Sequence, residues 1–166
     1  MIQFFQTKLT SPYITGATSE DIPQLSTIHS QSFTRGWSKN ELGKLIGSQG
    51  ALCLVLRQEG KIDQPPMGFV LCRQASDEAE IITIATEPKN RKRGIGRFLM
   101  DAAIRNLQSD RVKSLFLEVD ETNASAIGLY RSLGFVQAGE RKGYYSGQSD
   151  DEKQPTNALV MRLDFQ

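Results

Sequence analysis

Histidine is almost missing from this chain, with His29 alone among 166 residues, and cysteine is confined to Cys53 and Cys72. A His-rich metal site and a Cys-rich structural zinc site are thereby excluded, and no metal is expected. A Ser-His-Asp or Cys-His hydrolase would have to rest on His29. Neither sign of charge dominates: 20 Lys and Arg stand against 19 Asp and Glu, net +1. That balance argues against a protein that coats nucleic acid or a membrane surface. No apolar run approaches the about 18 residues of a membrane span, and Met1 to Pro12 lacks the apolar stretch of a signal peptide. Two cysteines suit a reducing compartment, so a cytoplasmic location is expected.

What is present fits one domain over residues 1–166, with 1–12 set apart as an extension. Hydrophobic residues make up 39%, enough for a buried core at this length. A strand is expected at Tyr13 to Ala17, followed by a helix to about Ser32 marked by Ile22, Leu25 and Ile28. Ser38 and Glu41 form a capping-box signature for a second helix, with Leu42, Leu45 and Ile46 as its apolar stripe. Ala51 to Arg57, Met67 to Arg73 and Ile81 to Thr86 read as strands, with a turn at Asp77–Glu78. Gly94 to Leu107 is the clearest helix, its stripe running through Ile95, Phe98, Leu99, Ala102, Ala103 and Leu107. A strand at Ser114 to Asp120, a helix at Asn123 to Leu133, and strands at Phe135 to Tyr145 and Ala158 to Asp164 complete the order. The polar segment 146–155 is expected to be a mobile loop. The order β-α-α-β-β-β-α-β-α-β-β gives a mixed sheet carrying helices, in the α/β class.

One segment stands out in charge. Arg91-Lys92-Arg93-Gly94-Ile95-Gly96-Arg97 lies where a strand hands over to the long helix, and no acid falls between Pro88 and Met100. Helix N-termini present unpaired N–H groups and partial positive charge, and glycine lets backbone approach an anion closely. A phosphate site is favoured over a merely solvated basic turn. Leu99 breaks the Gly-x-Gly-x-x-Gly dinucleotide fingerprint, and the Gly-Lys-Ser/Thr of a Walker loop is absent.

A second feature is a carboxylate and a phenol. In Ser114 to Asp120, alternation puts Leu115, Leu117 and Val119 on one face and Phe116, Glu118 and Asp120 on the other. Glu118 beside Phe116 is expected to be partly desolvated, the state that suits a general base near neutral pH. The alternative is a strand-end acid facing solvent or paired with an arginine. Twelve residues on, Tyr130 sits on an apolar helix face, by default a core residue with its hydroxyl at the rim.

The Arg-x-x-Gly-x-Gly of Arg91, Gly94 and Gly96 resembles the acyl-CoA pyrophosphate loop of the GNAT superfamily of N-acetyltransferases. The run from Leu117-Glu118-Val119 through Asn123, Ala126-Ile127-Gly128-Leu129-Tyr130 and Leu133-Gly134-Phe135 to Tyr144-Tyr145 is similar, more narrowly, to the RimI-like ribosomal-protein alanine N-acetyltransferases. The resemblance runs from about Ile14 to Leu163. Gly36 replaces the usual Pro before Trp37-Ser38, and Asn157 stands where relatives often carry an acid.

The resemblance implies a GNAT fold: a mostly antiparallel sheet of about seven strands, about four helices, and central strands that splay apart. It implies acetyl-CoA as cosubstrate, with the backbone of Ile84, Ala85 and Thr86 along the pantetheine and Arg91, Lys92, Arg93, Gly94, Ile95, Gly96 and Arg97 at the pyrophosphate. Asn123 would meet the cosubstrate near its acetyl end. Glu118 would take a proton from the incoming α-ammonium, Tyr130 would give one to the leaving thiolate, and Trp37, Tyr144 and Tyr145 would line the acceptor groove. The implied acceptor is a protein N-terminus, of a small-subunit ribosomal protein, for a monomer or weak dimer with no nucleic-acid or membrane partner. The alternatives are a GNAT acting on small amines or lysine side chains, and a non-catalytic acyl-CoA-binding module. His29 is expected to be a solvated or locally bonded helix residue, and Cys53 and Cys72 buried free thiols.

Overall fold

The computed structural model describes residues 11–58, 64–145 and 155–166. Seven strands are present: β1 (Pro12–Gly16), β2 (Ala51–Gln58), β3 (Gly68–Ala75), β4 (Glu78–Thr86), β5 (Ser114–Asp120), β6 (Val136–Tyr145) and β7 (Thr156–Asp164). Four α-helices join them: α1 (Ile22–Ser32), α2 (Lys39–Ile46), α3 (Ile95–Ser109) and α4 (Ala124–Ser132). The strands form one sheet in the order β1-β2-β3-β4-β5-β7-β6. All neighbours are antiparallel except β4 and β5. The last strand is thus inserted between β5 and β6, closing the sheet at its far end.

Local chemistry accounts for the helix starts. Ser38 Oγ accepts from the Glu41 N–H at 3.2 Å while Glu41 Oε2 accepts from the Ser38 N–H at 2.8 Å, the reciprocal box that opens α2. α3 begins at Ile95 behind Gly94, whose φ of +81° lies in the left-handed region. Its buried face is Ile95, Leu99, Met100, Ala102, Ala103 and Leu107. Phe98 was expected in that stripe and is instead 46% exposed. It lies about 60° from Ile95 on the side away from Leu99, Met100, Ala103 and Leu107, outside the buried face. The other difference is β4, which starts at Glu78 rather than Ile81, because the turn is made by Ser76 (φ +58°) and Asp77. Glu78, Ala79 and Glu80 each pair with both β3 and β5, and those ladders outweigh their polar side chains. Of the segment 146–155 only Pro155 falls within the described residues, and of the extension 1–12 only Ser11 and Pro12 do.

The sheet is covered on both faces. On one, α3 and α4 pack Leu99, Met100, Leu107, Ile127 and Tyr130 against Leu56, Val70, Leu115, Leu117 and Met161. On the other, α1 and α2 pack Leu25, Ile28 and Leu42 against Val55, Phe69, Leu71 and Ala85. Gly68 sits under α3: a Cβ there would lie 2.9 Å from Ile95 Cγ2 and 3.3 Å from Leu99 Cδ1. The missing side chain lets the first turn of the helix seat directly on the sheet.

Candidate active site

The site starts from a break in the sheet. β4 and β5 pair only at Glu78/Ser114, Ala79/Leu115 and Glu80/Phe116. Beyond Glu80, β4 continues to Thr86 paired with β3 alone, so the two central strands diverge and leave a gap with a free backbone edge. A bulge in β4 helps to set this edge: Leu71 pairs with Thr83 and Cys72 with Ile81, leaving Ile82 as the extra residue. The bulge exchanges the faces. Ala79 and Ile81 belong to the α3 side, whereas Ala85 belongs to the α1/α2 side. Thr83 Oγ1, just past the bulge, is the one buried side-chain polar atom among the described residues without a hydrogen-bond partner.

The basic loop closes one end of the gap. The first helical hydrogen bond of α3 runs from the Phe98 N–H to the Gly94 carbonyl at 3.1 Å. The N–H groups of Ile95, Gly96 and Arg97 therefore have no partner within the helix. Lys92 (φ +60°) and Gly94 (φ +81°) bend the chain back on itself just before them. Three arginines are fixed around this opening. Arg91 donates to Ser32 Oγ at 3.2 Å, Arg93 to Asn90 Oδ1 at 2.7 Å, and Arg97 to Ser132 Oγ at 2.9 Å. Gly96 faces α4, where a Cβ would stand 3.3 Å from Leu129 Cδ2. A concave, cationic helix end of this kind fits a pyrophosphate, and the free edge at Ile84, Ala85 and Thr86 fits an amide-bearing arm.

Glu118 lies two residues beyond Phe116, the last position at which β5 pairs with β4, and so stands at the gap while still paired with β7. Its neighbours Leu117 and Val119 are buried on the α3/α4 side, so its side chain projects to the α1/α2 side. The desolvation expected for it is not found. Its side chain is 33% exposed, and Glu118 Oε1 accepts from Arg141 Nη1 at 2.7 Å. The alternative held open from sequence, pairing with an arginine, is the arrangement seen. Phe116 does not wall it off, because Phe116 is itself only half-buried and faces the Arg162 guanidinium at 5.3 Å. The sequence gives Arg141 no role of its own beside the tyrosine pair it precedes. The signal that would have found it is its place three residues before Tyr144, but the contact depends on the insertion of β7 between β5 and β6.

Tyr130 is 6% exposed and belongs to the core on the α3/α4 side, its ring 5.9 Å from Phe135. Carboxylate and phenol therefore stand on opposite faces of the sheet. A body that met both would have to lie in the gap between β4 and β5. Asn123 caps α4, its Oδ1 accepting from the Ala126 N–H at 3.2 Å, which leaves its Nδ2 able to donate.

The corner between β5 and α4 is tied to the β6–β7 hairpin. Asn157 Oδ1 accepts from the Gly143 N–H at 2.9 Å, and the Asn157 N–H donates to Glu121 Oε1 at 3.0 Å. Burial would push the Asp120 carboxyl up, but donors from Thr122 and Thr156 outweigh it and hold the group below the usual carboxylate range. Tyr144 is exposed, with the Arg141 guanidinium 4.8 Å from its ring centroid. Tyr145 pairs with Thr156 through its backbone.

Trp37 is placed apart from this cluster, between α1 and α2. It stacks on His29 at 4.1 Å, and its backbone N–H donates to His29 Nδ1 at 3.1 Å. His29 is 3% exposed rather than solvated. Burial pulls its pKa down to about 4, against a weaker opposing pull from Glu41. Cys53 and Cys72 are buried, and burial pushes each thiol up to about 12, which makes them poor nucleophiles. They lie in the cores on opposite faces of the sheet. Among the described residues no group of three or more His, Cys, Asp or Glu could hold a metal ion, and no helix is long and apolar enough to cross a membrane. A separate groove of about 510 Å³ runs along the outer side of α3, lined by Arg97, Asp101, Ser132 and Phe165 among others. It shares only Arg97 with the site.

Comparison with known proteins agrees in sequence and in fold. The acetyltransferase (GNAT) family matches residues 22–135. A [ribosomal protein bS18]-alanine N-acetyltransferase of Salmonella typhimurium is 34% identical over 143 residues, 86% of this chain and 90% of the relative. The crystal structure of the ribosomal-protein-S18-alanine N-acetyltransferase from Escherichia coli superimposes with a TM-score of 0.82 at 30% identity, covering 93% of this chain and 94% of that one. Arabidopsis thaliana NAA60 in complex with acetyl-CoA shares the fold at a TM-score of 0.79 and 16% identity, covering 93% and 98%.

Proposed function

Because this chain belongs to the acetyltransferase (GNAT) family, we propose that it transfers an acetyl group from acetyl-CoA to the N-terminal α-amine of a protein, a small-subunit ribosomal protein. The chemistry needs four things: a site for the cosubstrate, a base, an acid, and an order in which they meet the two substrates. The observation that carries the proposal is the placement of Glu118 and Tyr130 on opposite faces of the sheet, beside a gap that leads to an open helix end.

Bound acetyl-CoA supplies an activated acyl group as its thioester. The N–H groups at the start of α3, with Arg91, Lys92, Arg93 and Arg97 around them, would hold the pyrophosphate, Gly94, Ile95 and Gly96 bringing the backbone close. The free edge of β4 at Ile84, Ala85 and Thr86 would pair with the pantetheine amides, and Asn123 Nδ2 would donate near the acetyl end. An α-ammonium has no lone pair, so a proton must leave before attack. Glu118 would take it, directly or through one water, on the face that Arg141 and Tyr144 share. Attack of the amine on the thioester carbonyl forms the C–N bond, the nitrogen's second surplus proton passes to solvent, and collapse breaks the C–S bond. Tyr130 would give its proton to the departing thiolate on the other face. Holding amine and thioester in one gap contributes much of the remaining rate.

Tyr144 and Tyr145 from β6 would bound the acceptor peptide on one side, and Trp37 from the α1–α2 junction, apart from them, on another. A cytoplasmic protein acting as a monomer or weak dimer fits this role. The test is mass spectrometry of ribosomal-protein N-termini from cells with and without the gene. One small-subunit protein should lose its N-terminal acetyl group when the gene is gone. A purified enzyme that turns over only small amines or lysine side chains would replace this proposal with the broader acetyltransferase one.

A further inference from the structure

A carboxylate and an aromatic face set around one position make a binding site for an organic cation. Glu118 and Tyr144 make such a pair, and one cation already occupies it. Arg141 Nη1 is 2.7 Å from Glu118 Oε1 while its Cζ is 4.8 Å from the Tyr144 ring centroid. We propose that Arg141 holds the place of the acceptor's ammonium: the free protein fills its own cation site with a guanidinium, and an acceptor enters by displacing it. This rests on the proposal that the acceptor amine approaches Glu118.

Three observations fit the role. The Arg141 backbone is fixed, paired with Ala158 of β7, which is in turn paired with Asp120. Only the side chain has to move, and no strand must separate. The pair is open to solvent, with side-chain exposures of 55% for Arg141 and 33% for Glu118. An ion pair so exposed shifts an equilibrium by no more than about fivefold, so an incoming ammonium can displace it. The third point is chemical. A guanidinium keeps its proton at any working pH, so Arg141 can occupy the place of the amine without itself being deprotonated and acetylated. The site then discriminates among cations. One that can lose a proton to Glu118 reacts, and one that cannot only blocks.

Arg141→Ala tests this by steady-state kinetics with an acceptor peptide and acetyl-CoA, with methylguanidinium chloride as the probe. The KM for the acceptor should fall about two- to fivefold, the range set by an exposed ion pair, while the KM for acetyl-CoA stays. Methylguanidinium should inhibit the variant competitively against the acceptor, at concentrations that leave the wild type unaffected. Arg141→Gln, which keeps much of the stem, should behave alike and guards against a packing artefact. An acceptor KM that rises or stays put would overturn the inference, as would methylguanidinium inhibition that is equal in both proteins or not competitive with the acceptor. Glu118→Gln separates the two claims. If it is inactive while Arg141→Ala shows no fall in KM, only the place-holding role is lost. If Glu118→Gln keeps full turnover, the base assignment is lost whatever Arg141→Ala does.

Discussion

The two ends of the gap are made of different material. The end at Pro88 to Met100 is built from backbone: a left-handed glycine, a turn of helix with unpaired N–H groups, and a helix seated on Gly68. The end at Glu118, Arg141 and Tyr144 is built from exposed side chains reaching across three strands. A backbone site suits what every member of a reaction class has in common, here the pyrophosphate proposed for it. A side-chain site can change its preferences by substitution without disturbing the sheet. The difference teaches that cosubstrate affinity and acceptor choice can be altered separately in this molecule.

Substitutions at each end should keep the two apart. Glu118→Gln is expected to have the largest effect, lowering kcat by about a hundredfold or more, with the Kd for acetyl-CoA nearly unchanged by calorimetry. A comparable loss of acetyl-CoA binding would show the two ends to be one unit. Tyr130→Phe should lower kcat about tenfold or more, and the loss should appear in single-turnover formation of free thiol, the step proposed for the phenol. Gly94→Ala forces a side chain into φ +81°, a cost of about 1–2 kcal/mol. It should weaken acetyl-CoA binding by about tenfold and leave the acceptor KM at saturating cosubstrate alone.

The smallest expected effect on activity lies in neither end but in the α1–α2 junction, where the change is one of stability. His29 is held neutral in the folded chain, its pKa depressed from 6.5 to about 4. The unfolded chain takes up a proton as the pH drops below 6.5 while the folded chain does not until near 4. Stability therefore falls across that window, by up to about 3 kcal/mol from this group. His29→Gln, which can still accept from the Trp37 N–H, should flatten the dependence of Tm on pH between 6.5 and 4. An unchanged slope would mean that other groups carry the acid sensitivity.

Much of this was legible in the sequence. The element order follows from period and punctuation: Ser38 and Glu41 announce α2, Gly94 announces α3, and Gly134 (φ +97°) follows α4. Glu118, Asn123 and Tyr130 take their candidate roles from the family resemblance, whose motif lies within one strand-turn-helix; local spacing alone leaves Glu118 open and makes Tyr130 a core residue. What remained hidden depends on contacts distant in sequence. Strand order is not written in any local pattern, so the insertion of β7 was not foreseen, nor the ion pair of residues 118 and 141. The exposure of Phe98 escapes a pattern of three- and four-residue steps, because such steps do not locate the centre of the buried face. The bulge at Ile82 left no trace, since an apolar run looks the same with or without an extra residue.

Gly68 has a consequence for the cosubstrate end beyond its backbone pairing with Thr86. It acts as a spacer of zero thickness between β3 and the first turn of α3, and its Cβ-free surface decides how that helix axis is pitched. One methyl group at position 68 would have to find room against Ile95 Cγ2 and the Ala85 carbonyl, 2.9 and 3.0 Å away. The helix would tilt about its far end, swinging the N–H groups of Ile95, Gly96 and Arg97 off their common aim. A residue 26 positions upstream of Gly94 thus calibrates the anion end of the gap, and Gly68→Ala should register as weakened acetyl-CoA binding while the Glu118–Arg141 end keeps its geometry.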